Sequence, residues 1–260
     1  MSLRHRPSPA NTAHAPAAAA PALYTSRIAS TADDIRAAQV LRFEVFNIEL
    51  DEGLVQSYDT GHDADPFDQH CAHLIVEDAA QGTVVGTYRM QTGTSAAAAL
   101  GYYSEREFDF SPFEPHRPLI LELGRACIHQ SHRNFAVLNL LWKGIAGYAR
   151  LQGARYLVGC SSLTSQDPDV GAAVYRRLAP HLAPSDWRTT PRGALACPLG
   201  DDGKSPSDIP RLLSAYLALG AAICGPPAID REFRTIDFLT WLDIESPRVQ
   251  AMQQRGRFVG

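Results

Sequence analysis

The strongest chemical signal in the sequence is an acid and a base inside an apolar run. The run covers residues 118–128 and is interrupted by Glu122, Gly124 and Arg125. It predicts a central strand buried on both faces, where charged side chains are costly unless they are paired or used. In a regular strand, positions 122 and 125 point to opposite faces, but a bulge at Gly124 would turn both toward one cleft. Catalytic groups and a structural ion pair remain equally open.

Two other groupings of reactive side chains favour structural roles. His70 and His73 flank Cys71, but no further ligand of suitable spacing is evident, so no metal site is predicted. Cys160 lies in an apolar segment, which favours a packed thiol over a covalent nucleophile.

The elements that must position these residues alternate between strands and helices. Strands are predicted near 24–30, 73–78, 83–91, 118–128, 155–163 and 237–244, and helices near 31–46, 134–151, 169–181 and 207–220. Thr31 and Asp34 predict a capping-box-like start for the first helix, and Ser207 is the predicted N-cap of the last, with Pro210 in its first turn. A polar, acid-rich loop is expected over 55–70 and an irregular segment over 92–117. This order predicts one mixed α/β domain over 23–245, followed by a polar helix or tail over 246–260.

Composition limits the classes of function. A net charge of −4 and a pI near 6.1 argue against a nucleic-acid binder. Five cysteines without a CxxC pair predict reduced thiols, and no apolar run is long enough to predict a membrane span. The Ala/Pro-rich segment 1–22 is expected to be a disordered tail rather than a targeting segment.

Several short motifs carry a family resemblance. They are Glu122-x-Gly124-Arg125 with Cys127-Ile128-His129, Arg133-Asn134, 140–144, 159–163, 216–221, Asp230, Phe233 and 235–237. In this combination the chain resembles the ornithine N-acyltransferases of bacterial ornithine-lipid synthesis, over about residues 24–244. The resemblance implies a GNAT-like α/β fold, with a mixed, mostly antiparallel central sheet flanked by helices.

The same resemblance implies an activity and its partners. The expected reaction moves a (3-hydroxy) fatty acyl group from acyl carrier protein (ACP) to the α-amine of ornithine, giving lyso-ornithine lipid. No permanently bound cofactor is expected, because the phosphopantetheine thioester is a co-substrate. The expected partners are ACP and an amino acid, with no nucleic acid. The expected location is the cytoplasm, with peripheral contact to a membrane left open.

The chain also resembles, more distantly, the acyl-homoserine-lactone synthases. The residues that match recurring positions of that family are Arg42, Phe46, Asp63 or Asp65, Arg89, Glu122 and Arg125. Gly124 departs from it, since that family usually has Ser there. Its Trp after the first helix has no clear match near Glu49 and Leu50.

The segment before the fourth predicted helix bears on the acyl donor. Coenzyme A-dependent GNAT enzymes usually have glycines here, whose backbone N–H groups hold a pyrophosphate. This chain has Phe135 and Val137, which would crowd that group, and this favours ACP over coenzyme A. The resemblance places the donor site at Ile128, Arg133, Asn134, Ser161 and Ser162.

The implied reaction, aminolysis of a thioester, assigns roles to the polar residues. Glu122 would be the general base and Arg125 its partner, with backbone N–H groups at the bulge binding the oxyanion. Arg42 or Arg89 would bind the acceptor's carboxylate, beside Phe46. The loop aspartates Asp63, Asp65 and Asp68 would bind its side-chain amine. The alternatives are another amino-acid acceptor, a signal synthase of the homoserine-lactone type, or a non-catalytic domain that binds an acyl carrier.

Overall fold

The computed structural model describes residues 23–200 and 208–254, and the centre of this part is one eight-stranded sheet. The strands are β1 (Tyr24–Ile28), β2 (Ala72–Asp78), β3 (Thr83–Thr92), β4 (Ile120–Ile128), β5 (Tyr156–Leu163), β6 (Ala222–Ile223), β7 (Ala228–Asp230) and β8 (Thr235–Asp243). They lie in the order β1-β2-β3-β4-β5-β8-β6, and β7 also pairs with β8. Only β4 and β5 are parallel neighbours among these strands. The prediction of a mixed, mostly antiparallel sheet is confirmed.

Helices cover both faces of the sheet. They are α1 (Ala32–Phe43), α2 (Ser57–Thr60), α3 (Gly93–Ala98), α4 (Phe135–Leu151), α5 (Pro168–Leu178), α6 (Arg211–Leu219) and α7 (Pro247–Gln254). A capping box between Thr31 and Asp34 fixes the start of α1, as the sequence predicted. Asn134 caps α4 by accepting a hydrogen bond from the Val137 N–H.

Because side chains alternate along the central strands, one face of the sheet is apolar and the other is polar. Tyr88 and Leu121 join the core under α4, whereas Arg89, Gln91 and Glu122 point to the face that α1 covers. Both faces are buried, so the polar side chains of the second face must be satisfied inside the protein.

The parallel pair β4–β5 is short. Only Ile120–Glu122 pairs with Tyr156–Val158, and beyond this point the strands diverge. Gly159 lies where they separate, and a Cβ there would stand 2.1 Å from the Leu123 carbonyl oxygen. A glycine is therefore required at this close approach, and the gap opens directly after it.

Several boundaries differ from the sequence prediction. The expected loop 55–70 contains α2 and a 3₁₀ turn, Pro66–His70, and the irregular segment 92–117 contains α3. Helix α6 begins at Arg211 after Pro210 as its N-cap, so Pro210 lies outside the first turn. Ser207, the predicted cap, and the expected tail 1–22 lie outside the described residues. None of the described helices is both long and apolar enough to cross a membrane.

Candidate active site

A cavity of about 310 Å³ lies where β4 and β5 diverge, and its walls come from both faces of the sheet. Polar side chains line one end, including Arg89, Tyr103, Glu122, Arg125, Ser162 and Asp237. Apolar side chains line the other, including Trp142, Ile145, Ala146, Leu157, Leu213 and Leu242. A concave site with convergent polar groups and an apolar extension is typical of small-molecule binding.

Glu122 lies at the polar end and is held by backbone donors. The N–H of Tyr103 donates to its Oε2 at 2.8 Å, and the N–H of Ser104 donates to its Oε1 at 2.8 Å. Burial raises the pKa of the Glu122 carboxyl, while the hydrogen bonds from Ser104 and Tyr103 and the charge of Arg89 act in the opposite direction. A fixed carboxylate with a raised pKa, facing a cavity, has the properties of a general base.

A bulge in β4 brings Arg125 to the same side as Glu122. Gly124 pairs with Arg89, but Cys127 pairs with Thr87, so β4 has one residue more than β3 between these pairs. The left-handed residue is Arg125, with φ of 50°, rather than Gly124. The sequence therefore located the bulge one residue early, although its consequence is as expected, since both charged side chains line the cavity.

Contacts around its guanidinium stabilise this strained position of Arg125. The group lies over the rings of Phe233 at 4.2 Å and Tyr103 at 4.8 Å from their centroids. It also pairs with Asp65 at 2.8 Å and Asp63 at 3.2 Å. A left-handed residue costs roughly 1–3 kcal/mol, and these contacts offset that cost.

Behind the cavity wall, three arginines and three aspartates form one buried network. Arg42 is fully buried and pairs with Asp63 at 3.1 Å and Asp68 at 2.8 Å. Arg89 pairs with Asp65 at 2.6 Å and Asp68 at 3.0 Å. Burial alone would raise the pKa of Asp68, but hydrogen bonds and charge from Arg42, together with the charge of Arg89, lower it. The pKa of Asp65 is lowered as well, by the charges of Arg89 and Arg125 acting against burial, so Asp65 and Asp68 are ionised and paired within the network.

The structure divides the predicted acceptor site into two groups. Phe46, Arg89, Glu122 and Arg125 line the cavity. The residues that form the network without appearing in the cavity wall are Arg42, Asp63, Asp65 and Asp68.

The predicted donor residues are divided in the same way. Ser161 and Ser162 line the cavity, and the Ser161 hydroxyl accepts a hydrogen bond from Thr240 Oγ1 at 2.9 Å. Arg133 instead lies at the surface and forms two 2.6 Å bonds with Glu49. Asn134 is occupied as the cap of α4, and the Ile128 carbonyl accepts from Arg133 Nε at 3.0 Å.

Sequence reasoning missed the other acids of the site. Glu52, Asp230 and Asp237 line the cavity, and Glu107 lies against Asp237. Asp237 was noticeable as an acid at the start of an apolar strand. Glu107 belongs to an irregular aromatic segment that gives no indication of where its side chain points.

The predicted packed role of Cys160 agrees with its surroundings. Burial raises the pKa of this thiol well above its ordinary value, and the nearby carboxylates of Glu107 and Asp237 raise it further. Such a thiol is a poor nucleophile. His73, the other reactive candidate, is buried with Nε2 at 3.0 Å from the Asp68 carbonyl oxygen.

The sequence is similar to a known domain family and to several acyltransferases. Residues 41–143 match the family model "Acetyltransferase (GNAT) domain". The chain is 33% identical over 255 residues to an L-ornithine Nα-acyltransferase of Rhodobacter capsulatus, covering 92% of this chain and 95% of that protein. It is 34% identical over 236 residues to an L-ornithine Nα-acyltransferase of Brucella abortus, covering 84% of each.

Solved structures show the same fold at low sequence identity. The acyl-homoserine-lactone synthase LasI superposes with a TM-score of 0.52 at 13% identity, covering 91% of this chain and 97% of that one. FeeM, an N-acyl amino acid synthase from uncultured soil microbes, gives a TM-score of 0.52 at 12% identity, covering 88% and 98%. These matches show that the fold is GNAT-like.

Proposed function

The chain belongs to the family of the L-ornithine Nα-acyltransferases, and we propose that it transfers a fatty acyl group, including 3-hydroxylated chains, from acyl-ACP to the α-amine of ornithine. The product is lyso-ornithine lipid. The observation that carries this proposal is the cavity with a fixed, buried carboxylate at one end and an apolar extension at the other.

The chemistry requires a proton acceptor beside the amine. The acceptor's α-ammonium first loses a proton to Glu122, and the free amine attacks the thioester carbonyl. A C–N bond forms, the C–S bond breaks, and the second amine proton passes to the departing pantetheine thiolate. The two backbone N–H groups that hold Glu122 keep it in one position, so the attack geometry is set before the substrate arrives.

The oxyanion of the tetrahedral intermediate needs hydrogen-bond donors. Beyond Glu122 the edge of β4 that faces β5 no longer pairs with it, and Gly124, Arg125 and Ala126 line the cavity there. Backbone N–H groups of this bulged segment are the proposed donors.

The apolar end of the cavity suits a hydrocarbon chain. It lies between α4 and the β5–β8 pair and is lined by Ile145, Ala146, Leu157 and Leu242. Each methylene buried there contributes about 0.8 kcal/mol. An acetyl group would leave most of this surface without a partner, so the site favours a long acyl donor.

The start of α4 supports ACP as the carrier. Its Val137 N–H is already bonded to the Asn134 side chain, and Arg133 is bonded to Glu49. Fewer donors therefore remain for a pyrophosphate than in a glycine-rich turn. A pantetheine arm carries a single phosphate and therefore needs fewer hydrogen-bond donors at this position.

The α-carboxylate of the acceptor is proposed to bind at Arg125 and Arg89, which line the polar end. The network of Arg42, Asp63, Asp65 and Asp68 then has a supporting role, since it fixes these two guanidinium groups.

A cytoplasmic location with peripheral membrane contact is part of the proposal, because the product is amphipathic. Leu50 lines the cavity and is 37% exposed, and Ile48 and Val55, which are near it in the sequence, are 61% and 78% exposed. Exposed apolar side chains in this segment are the proposed contact with a bilayer.

Mass spectrometry of lipids tests this function. Cells that lack ornithine lipids and express this chain should accumulate lyso-ornithine lipid, and cells that express Glu122→Gln at equal level should not. N-acylated neutral amino acids without any acyl-ornithine would contradict the acceptor assignment.

A further inference from the structure

A second group of acids lines the cavity at the β5–β8 side, opposite the arginine network. Glu107 and Asp237 are each 4% exposed, and Glu52 is 7% exposed. Asp237, Glu52 and Asp230 belong to the cavity wall, while Glu107 packs behind Asp237.

The sheet register orients this group toward the same chamber as Glu122. Glu122 pairs with Val158 on β5, and Asp237 pairs with Ser162 further along the same strand. Positions 158, 160 and 162 share one face because side chains alternate along a strand. Asp237 and Glu122 therefore project from the same face of the sheet, separated along it.

A chain of contacts joins the two acidic positions. The Ser104 N–H donates to Glu122 Oε1, and the Ser104 hydroxyl accepts from Cys160 Sγ at 3.5 Å. Cys160 Sγ in turn lies 3.8 Å from Glu107 Oε2. Ser104 and Cys160 thus connect Glu122 to Glu107, and Glu122 and Asp237 line the same cavity.

Unlike the loop aspartates, Glu107 and Asp237 have no ion-pair partner among the described residues, whereas the charge of Arg234 acts on Glu52. Buried oxygens of these three acids, Oε1 of Glu52, Oε1 of Glu107 and Oδ1 of Asp237, accept no hydrogen bond from the described residues. In that same part of the chain, no basic side chain forms an ion pair with Glu107 or Asp237. Burial raises the pKa of both groups, and the charge of Asp230 raises each further. A hydrogen bond between the two side chains raises the pKa of Glu107, which the charge of Asp237 also raises, but it lowers the pKa of Asp237, so Asp237 is the acid that ionises more readily.

Buried carboxylates of like charge are stable only if they share a proton or bind a cation. The ligand atoms of Glu107, Cys160 and Asp237 lie within 4.8 Å of one another, so a metal ion is one candidate. The thiol is a poor ligand here, because its pKa is raised and metals bind the thiolate. An ammonium group donates three hydrogen bonds and matches the unpartnered oxygens.

We propose that Asp237, with Glu52 and Glu107 beside it, binds the side-chain ammonium of a diamino acid acceptor and selects it over neutral amino acids. This inference rests on the proposed function, because it assumes that the acceptor's α-amine lies at Glu122. It assigns the negative pole of the acceptor site to β8 rather than to the loop at 63–68.

Acceptor selectivity tests the inference. Initial rates with one acyl-ACP are measured for ornithine and for norvaline, which has the same carbon skeleton without the side-chain amine. Asp237→Asn should lower kcat/KM for ornithine by about 10- to 150-fold, which is the contribution of a charge-assisted hydrogen bond. It should change kcat/KM for norvaline little. Glu107→Gln should act in the same direction with a smaller effect.

A matched control lies on the same strand. Asp243 ends β8 and pairs with the partly exposed Arg155 at 2.7 Å, so Asp243→Asn should keep the wild-type selectivity. Asp237→Glu keeps the charge but extends the side chain by one methylene. It should shift the preference from ornithine toward the shorter 2,4-diaminobutyrate, which a purely structural aspartate would not do.

The possible results distinguish a failure of this inference from a failure of the proposed acylation of ornithine. An unchanged ornithine-to-norvaline ratio in a folded Asp237→Asn variant overturns the inference and leaves ornithine acylation standing. A wild-type enzyme that acylates norvaline as well as ornithine contradicts the proposed function itself. Stoichiometric divalent metal in the purified wild type, lost in Asp237→Asn, would show that the group is a metal site instead.

Discussion

The side chains of Glu122 and Arg125 line the same cavity but are held by different partners. Glu122 accepts from the Tyr103 and Ser104 N–H groups, whereas Arg125 pairs with Asp63 and Asp65. The two residues are therefore not a mutually neutralising ion pair inserted into a strand. Each side chain can therefore have a separate role in the cavity, and the two roles can be tested residue by residue.

Glu122→Gln should lower kcat by about 100-fold or more, the usual contribution of a general base. The amide replaces one of the two carboxylate acceptors, so unfolding measurements must show that the variant is still folded. Because burial raises the pKa of Glu122, the acidic limb of the wild-type kcat/KM profile should lie above the ordinary Glu value of about 4.3. Near wild-type turnover by the folded variant would remove Glu122 from the chemistry.

Arg42→Met should destabilise the protein by about 3–5 kcal/mol, because it leaves Asp63 and Asp68 buried without their shared partner. Urea unfolding measures this loss. Arg133→Met is the control. Because Arg133 is 44% exposed in its pair with Glu49, this variant should change the free energy of unfolding by less than about 1 kcal/mol. Equal stability of the two variants would contradict the supporting role of the network.

Ala146→Leu should shift the acyl preference toward shorter donors. Ala146 lies on α4 in the apolar wall, and added methylenes there occupy space that the acyl chain would use. Rates with a series of acyl-ACPs should fall most for the longest chain, by roughly tenfold. Leu151→Ala, at the exposed end of α4, should leave the series unchanged. A uniform loss across all chain lengths would mean that this wall does not contact the acyl group.

Asp237→Asn should stabilise the substrate-free protein at neutral pH. The pKa of Asp237 is raised from its ordinary value of 3.8 to about 6, chiefly by burial. Between these values the folded state binds more protons than the unfolded chain, so wild-type stability falls as the pH rises through this window. Asp237→Asn does not lose stability in this way. At neutral pH its free energy of unfolding should exceed that of the wild type by an amount on the order of 1–3 kcal/mol, and this difference should disappear near pH 4. Thermal unfolding at pH 4 and pH 7.5 measures it, and an advantage independent of pH would be inconsistent with a buried charge at this position.

The sequence predicted those parts of the fold that depend on local pattern. The apolar run of β4, the capping box at Thr31 and the amphipathic helix α4 each contain their own signal, and all three are present. The limits of α6 were less clear, because Pro210 fits both a cap and a first turn.

The site was predictable only in part, because its contacts join distant segments. Glu122 and Arg125 were identified from their cost in an apolar strand. No local pattern indicates that Asp65 and Asp68 pair with Arg89, or that Glu107 packs behind Asp237. We therefore propose roles for the two acidic groups that differ from the sequence prediction: the loop aspartates support the arginines, and the β8 group binds the substrate amine.

The central claim is tested most directly by one reaction with purified protein. Ornithine, glutamine and glycine are supplied together with a long-chain acyl-ACP, or with the matching acyl-CoA. Fragmentation in the mass spectrometer then identifies each product and the nitrogen that is acylated. We expect Nα-acyl-ornithine as the main product, formed at least about tenfold more efficiently from acyl-ACP than from acyl-CoA. Acylation of glycine or glutamine in preference to ornithine, or a higher efficiency with the coenzyme A donor, would contradict the proposed function.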